Sequence, residues 1–469
     1  MADLTIRNLT IHPLELVTVE RFESKKEQTG DAITNTIGAI SGFLNATDFS
    51  STKTVVKGNA HKKDNVTIKV DPFRAKQTDV RTADPGREII RLVFKSRDKK
   101  YEVDIPSPNS KSSTMKKLDG GSQELTAVYV PTGAFLAVIS SSRLDAWMKE
   151  LHNDWPLQIL SIPGTHNSPT CHKALPSVRC QAVSVPDQLR NGVRFLDVRV
   201  SAEPNDPNLS LVHSAFPVSL TGTKYLAEML DEIYDFLNKN PSETIIMSVK
   251  REGTGKGTDE QMGRHLKKNY VDKKTDRWWT EPRVPRLGEA RGRIILMRRF
   301  GLDGELRKCH GNKGYGIDAH AWPDNCEDGK IGNDGHIRVQ DFYEITESQN
   351  VEKKIDFSRG QLERAASQHF SIDGEKRDGQ RTPPFFVNFL SASNFFNATC
   401  WPERIAAKVN PAIVEYLCIK HGEEGKGPKK LKVGSAGTGI VVTDWVGAHD
   451  DWDLIRCIVG MNARLQLKR

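Results

Sequence analysis

His166 lies in the run Ser161-Ile-Pro-Gly-Thr-His-Asn-Ser168, in which Pro163 and Gly164 break an apolar stretch and turn the chain outward. His213 ends a second apolar run, Leu209-Ser-Leu-Val-His-Ser214. Between them lies Gly192-Val-Arg-Phe-Leu-Asp-Val-Arg-Val200, where strand alternation puts Phe195, Asp197 and Arg199 on one face and Leu196, Val198 and Val200 on the other. Two strand-end imidazoles, an acid and an arginine therefore converge on one pocket. Imidazole exchanges protons near neutral pH, and guanidinium offers forked donors to phosphate oxygens. That set suits acid–base attack on a phosphodiester.

Strands must hold these residues, and from residue 155 onward the chain alternates strand with helix. Apolar runs at 157–162, 192–200, 209–214, 244–250, 292–300, 336–343, 385–390 and 439–445 read as strands; 224–238, 361–368 and 405–419 read as helices. Eight strands with crossovers predict a TIM-like (β/α)8 barrel, typically ~250 residues plus insertions. Functional residues then sit at C-terminal strand ends, where His166, Arg199, His213, Lys250, Arg299, Asp341 and Asp444 fall. Residues 1–145 differ: short alternating runs separated by Gly, Pro, Ser and Asp predict a small antiparallel, sandwich-like all-β domain of unassigned role. Residues 147–151 form a short connecting helix, and the barrel domain occupies 150–469. The glycine-rich stretches 434–439 and 253–258 lack strand-to-helix phosphate-loop context and read as turns.

Composition narrows the function classes. A net charge of +8 over 469 residues favours contact with anions. The basic residues are spread, and no zinc finger, RNA-binding signature or basic helix occurs, so a membrane surface or phosphate ligand is expected rather than nucleic acid. No apolar run spans a bilayer and the N-terminus lacks an apolar signal core, so the expectation is a cytoplasmic protein acting peripherally at membranes. Seven scattered cysteines read as reduced thiols packed as small hydrophobes. Cys171 and Cys180 flank a short loop and would pair in a secreted protein; Cys171-His172 lacks a second pair at ligand spacing. No metal and no cofactor is expected, and the oligomeric state is left open. The sequons at Asn8, Asn65 and Asn397 carry no inference.

Ile162-Pro-Gly-Thr-His166, the Leu-Asp-Val-Arg ending at Arg199 and the Leu-Val-His ending at His213 resemble the X domain of phosphatidylinositol-specific phospholipases C, in the bacterial-type branch. Stretches 247–252, 290–299, 322–325, 339–343 and 442–444 resemble that family in the same order, and the block with its N-terminal extension is similar to fungal proteins of this type. The resemblance covers about 155–460. It implies cleavage between glycerol and phosphate by the inositol 2-hydroxyl, giving diacylglycerol and a cyclic inositol phosphate. In that scheme His166 is the base, His213 the acid, Asp444 orients His166, Arg199 binds the phosphate, and Asp197 stands beside His213 as partner of the acid. The metal-dependent branch carries a calcium-binding carboxylate where Arg199 stands, so the resemblance implies no metal requirement. Lys250, Arg299, Asp341 and Tyr343 match positions holding the inositol ring, and Asn167 joins this substrate-binding set. Asn167 departs from the aspartate usual there and cannot pair with Arg199 by charge.

Membrane contact needs apolar groups at the pocket mouth. Phe395, Phe396 and Trp401 follow the seventh strand and are assigned to lipid; Trp278 and Trp279 precede the fifth and are assigned to packing. The rivals are a barrel phosphodiesterase acting on another phospholipid headgroup, whose carboxylate-rich metal site Arg199 argues against, and a non-catalytic lipid- or inositol-phosphate-binding module, which would not need both histidines and Asp444.

Overall fold

Runs buried on both faces make the parallel sheet that carries the site: all of Ile294-Ile-Leu-Met-Arg298 is buried, as a strand covered by helices on one side and packed core on the other must be. The computed structural model describes residues 2–28, 52–107, 111–120, 123–141, 143–332, 334–347, 350–370 and 383–467. They divide into two compact units, Met1–Ser141 and Ser142–Arg469.

In the second unit, parallel neighbours run in the order Ile317–Asp318, Ile294–Arg298, Ile245–Arg251, Phe195–Ser201, Ile162–Thr165, Ile440–Thr443, Phe385–Phe389, Ile337–Gln340. This is barrel order, yet two expectations are corrected. The 209–214 run is not a member of the parallel set. Ser210–His213 folds back antiparallel on Phe195–Ser201, with Val200 opposite Leu211, and the two-residue strand Ile317–Asp318 takes the vacant place. Nor is the sheet a ring closed by strand pairing among the described residues. Gly329–Ile331 pairs antiparallel with Ile337–Gln340, on the edge that closure onto Ile317–Asp318 would require. One side-chain bond crosses this seam, between His336 Nε2 and the Asp318 carbonyl at 2.8 Å.

Helices cover the sheet for ordinary reasons. Leu226–Lys239 buries Leu226, Met229, Leu230, Ile233, Tyr234 and Leu237, the three-and-four spacing of one helical face. Asp259–Leu266 opens on a capping box from Thr258 to Gln261, and Pro402–Ile419 starts with proline in its first turn, where no amide is needed. The expected helix at 147–151 is a tighter 3-10 turn, Leu144–Glu150, whose buried Trp147 donates to the Gly192 carbonyl at 2.9 Å. Beneath the sheet, fully buried Arg194 bonds Glu243 at 2.9 Å and four backbone carbonyls, tying two strand starts together.

The first unit consists of two five-stranded sheets sharing one apolar core, in which Leu4, Ile6, Leu125 and Leu136 of one meet Leu16, Ile90, Leu92 and Phe94 of the other. It is sandwich-like but not purely antiparallel, because Asp3–Leu9 pairs parallel with Phe135–Ser141.

Candidate active site

His166 follows the last residue of Ile162–Thr165, and Asp444 follows Ile440–Thr443 on the adjacent strand. Neighbouring parallel strands ending at one level put the two side chains together, and His166 Nδ1 lies 2.9 Å from Asp444 Oδ1. On its other side Ile162–Thr165 lies close against Phe195–Ser201 because Gly164 has no side chain: a Cβ there would lie 2.9 Å from the Phe195 ring. His213 reaches the same place from its antiparallel excursion, its ring 5.6 Å from that of His166 and nearly perpendicular. Its Nδ1 lies 2.7 Å from the Val178 carbonyl.

Asp197, expected beside His213, is engaged elsewhere. Its carboxylate accepts from the Asn167 amide at 3.0 Å and from Arg199 Nε at 3.1 Å, and lies 3.5 Å from the Arg299 guanidinium. Burial would raise its pKa, but Arg199 and Arg299 outweigh burial and hold it well below the ordinary range. A backbone carbonyl therefore orients His213, and Asp197 orients the arginines.

Arg199 bridges Asp197 and Glu252, both at 3.1 Å. Glu252 also accepts from Lys250 Nζ at 2.8 Å and from the Ser214 amide at 2.9 Å, so it ties three strands together beneath the mouth. Burial pushes Glu252 up, but Arg199 and Lys250 win and bring its pKa to about 2. The Lys250–Glu252 pair looks like a rim salt bridge in the sequence. Nothing along the chain shows Glu252 reaching Arg199, 53 positions away, so the sequence does not mark it as a site residue.

Of the remaining residues singled out from sequence, Arg299 is buried with its guanidinium 3.8 Å over the Trp322 ring. Asp341 accepts from Trp322 Nε1 at 2.9 Å, and half-exposed Tyr343 donates to Asp324 at 2.7 Å. Asn167 is fully buried with φ of 39°, a left-handed conformation that asparagine tolerates, and its side-chain amide has no hydrogen-bond partner among the described residues. It does not contact Arg199 in place of aspartate; Glu252 supplies that second carboxylate.

Cys180 is the other residue whose place the sequence does not show. It is unpaired with Cys171 and buried, with Sγ 3.6 Å from His213 Nδ1. Burial raises its pKa, but His213 and His166 bring it down to about 7. Burial likewise lowers that of His166, while Asp444 and then Cys180 hold it at about 10.

At the mouth, Phe396 is 95% and Leu220 60% exposed, and Phe395 stacks on Phe216, the register partner of His213. Trp401 donates to the Phe395 carbonyl at 3.2 Å. Trp278 and Trp279 are buried, donating to the Tyr234 hydroxyl and the Arg283 carbonyl.

The family description "Phosphatidylinositol-specific phospholipase C, X domain" matches residues 154–300. A 1-phosphatidylinositol phosphodiesterase of Listeria monocytogenes is 33% identical over 159 residues, 32% of this chain and 47% of that one. One of Staphylococcus aureus is 28% identical over 317 residues, 64% of this chain and 88% of that one. The chain thus spans about half the length of the first relative and most of the second. A solved variant of the phosphatidylinositol-specific phospholipase C from Staphylococcus aureus superposes with TM-score 0.53 at 25% identity, covering 68% of this chain and 98% of that one. Another solved structure of that enzyme concerns modulation of its membrane binding. These relatives are bacterial, and they do not carry the fungal likeness expected from the sequence.

Proposed function

The chain carries an X domain of the phosphatidylinositol-specific phospholipase C family, bacterial-type branch, and from that premise we propose that it is a metal-independent phospholipase C acting on phosphatidylinositol-type lipids at a membrane surface. The observation that carries this reading is the pair of imidazoles facing each other across 5.6 Å, one of them fixed by Asp444.

The site's chemistry follows from its atoms. With Nδ1 committed to Asp444, His166 presents Nε2 to the inositol 2-hydroxyl and takes its proton as the oxygen attacks phosphorus. The bond from phosphorus to the glycerol oxygen breaks, and His213 gives that oxygen a proton, releasing diacylglycerol and leaving a cyclic inositol phosphate. Arg199, held flat between Asp197 and Glu252, meets the phosphate oxygens with its remaining donors as charge builds on them. Buried Arg299 adds fixed positive charge, and Asp341, Lys250 and Tyr343 supply polar contacts for the inositol ring, while Asn167, expected in this set, is fully buried and presents no exposed side-chain atom to it. The exposed Phe395–Phe396 pair inserts into lipid beside the His213 strand, fitting peripheral rather than spanning attachment; no described helix is long and apolar enough to cross a membrane.

Turnover of phosphatidylinositol vesicles in excess chelator tests the reading. Diacylglycerol and cyclic inositol phosphate are expected from the wild type, with His166→Ala slower by about a hundred- to ten-thousandfold. A wild type that needs added calcium would refute the role given to Arg199.

A further inference from the structure

We propose that His166, Cys180 and His213 form a three-ligand site for a thiophilic divalent cation, zinc foremost, whose occupation blocks the catalytic pair. One ligand atom from each residue lies within 4.8 Å of the others. Tetrahedral zinc, with bonds of about 2.0–2.3 Å, sets ligand atoms about 3.3–3.8 Å apart, so a small inward rotation of the side chains closes the site. Two imidazoles and a thiol are a donor set for zinc or cobalt and not for calcium or magnesium, which take oxygen.

The outer support that metal sites need is already built. Asp444 holds His166 by Nδ1, leaving Nε2 for the cation, and the Val178 carbonyl fixes His213. The Cys180 backbone is held at both ends, its amide donating to Thr170 Oγ1 at 3.1 Å and its carbonyl accepting from the Trp445 amide at 2.9 Å. Next to it, Gln181 Nε2 bridges the carbonyls of His166 and Thr443 at 2.7 and 2.9 Å. Binding needs no redox step: the cation enters, the thiol proton and the second ring proton that Asp444 favours on His166 leave to solvent, and both rings coordinate as neutral imidazoles. The fourth position stays open to water or a phosphate oxygen.

The lone pair that takes the substrate proton is then the one bound to metal, so occupancy and turnover exclude each other. That consequence rests on the function proposed above; the binding itself does not. The test uses the metal-stripped full chain with cobalt and zinc chlorides. One cobalt is expected to bind with thiolate-to-cobalt charge-transfer absorption, zinc is expected to displace it, and zinc to abolish lipid turnover until chelator is added. Cys180→Ser and, as a second variant checked by its thermal melt, Cys180→Ala are expected to lose the charge-transfer band and to weaken zinc inhibition by roughly 10–100-fold or more, each measured against its own metal-free rate. Cys418→Ser is expected to keep both signatures, since Cys418 lies with Cys457 at another site. An unchanged cobalt spectrum in both Cys180 variants would refute the proposal. A Cys180-dependent spectrum in a wild type that turns over no lipid would uphold the metal site and refute the phospholipase reading.

Discussion

Arg199 works between two carboxylates, which is more than its sequence neighbours show. A lysine there reaches one of Asp197 and Glu252 but cannot fork to both and to a phosphate. Arg199→Lys is therefore expected to lower kcat on phosphatidylinositol by about a hundred- to a thousandfold while leaving the melting temperature close to wild type. Glu252→Gln separates the hub from the chemistry. Its folded pKa of about 2 lies below the ordinary 4.5 of a glutamate, so its stabilisation is fully present above 4.5 and fades as pH falls through about 2. The difference in unfolding free energy between wild type and Glu252→Gln is expected to be largest near neutral pH and to vanish toward pH 2; a gap constant across that range would remove Glu252 from the ion network. For His166 the sign runs the other way. In the role proposed for it His166 is a base, which works when deprotonated, so activity is expected to rise with pH through its pKa, and Asp444 raises that pKa. Asp444→Asn is expected to lower the maximum rate and shift the rising limb of the pH–rate profile to lower pH. The histidines, Arg199 and Asp444 were legible because each sits at the polar end of an apolar run. Glu252 and Cys180 were not, because their partners lie on other strands: Arg199 is 53 positions from Glu252, and His213 is 33 from Cys180.

Elements were legible where the chain repeats a period and illegible where direction decides. Seven of the parallel strands are apolar runs that any buried strand would show, whereas Ile317–Asp318 has two residues and no period to detect. Ser210–His213 was given a barrel place because an apolar run does not state whether it pairs parallel or antiparallel. The loop carrying Phe395 and Phe396 and the short strand Trp278–Trp279 make an instructive pair, both aromatic doublets. A Phe395→Ser/Phe396→Ser double variant is expected to lose vesicle binding, by co-sedimentation, while keeping turnover of a water-soluble inositol phosphodiester. Trp278→Ala is expected to spare vesicle binding of the folded protein and cost about 3–5 kcal/mol of stability, because it empties a buried site and orphans the Tyr234 hydroxyl. Equal loss of binding in both variants would count against the assignment.

For the whole molecule, each unit encloses an apolar core of its own. A chain beginning at residue 142 is expected to fold cooperatively and to keep turnover of the water-soluble substrate; failure to melt as one transition would show that the first unit is needed for the second to fold. Within the second unit, Glu243→Ala strands the Arg194 charge in a dry interior and is expected to cost about 3–5 kcal/mol in denaturant unfolding without altering the pH–rate profile. The seam beside Ile337–Gln340 gives the sheet unequal tenacity. Amides of Ile440–Thr443 and Ile162–Thr165, locked by strands on both sides, are expected to exchange with solvent deuterium only when the unit opens globally, and those of Ile317–Asp318 and Gly329–Ile331 through a smaller opening. On that expectation the side of the pocket that holds His166 and Asp444 is the slow-exchanging one, and the side that leads to Asp341 and Tyr343 is the one left to adjust to the headgroup of the lipid proposed above.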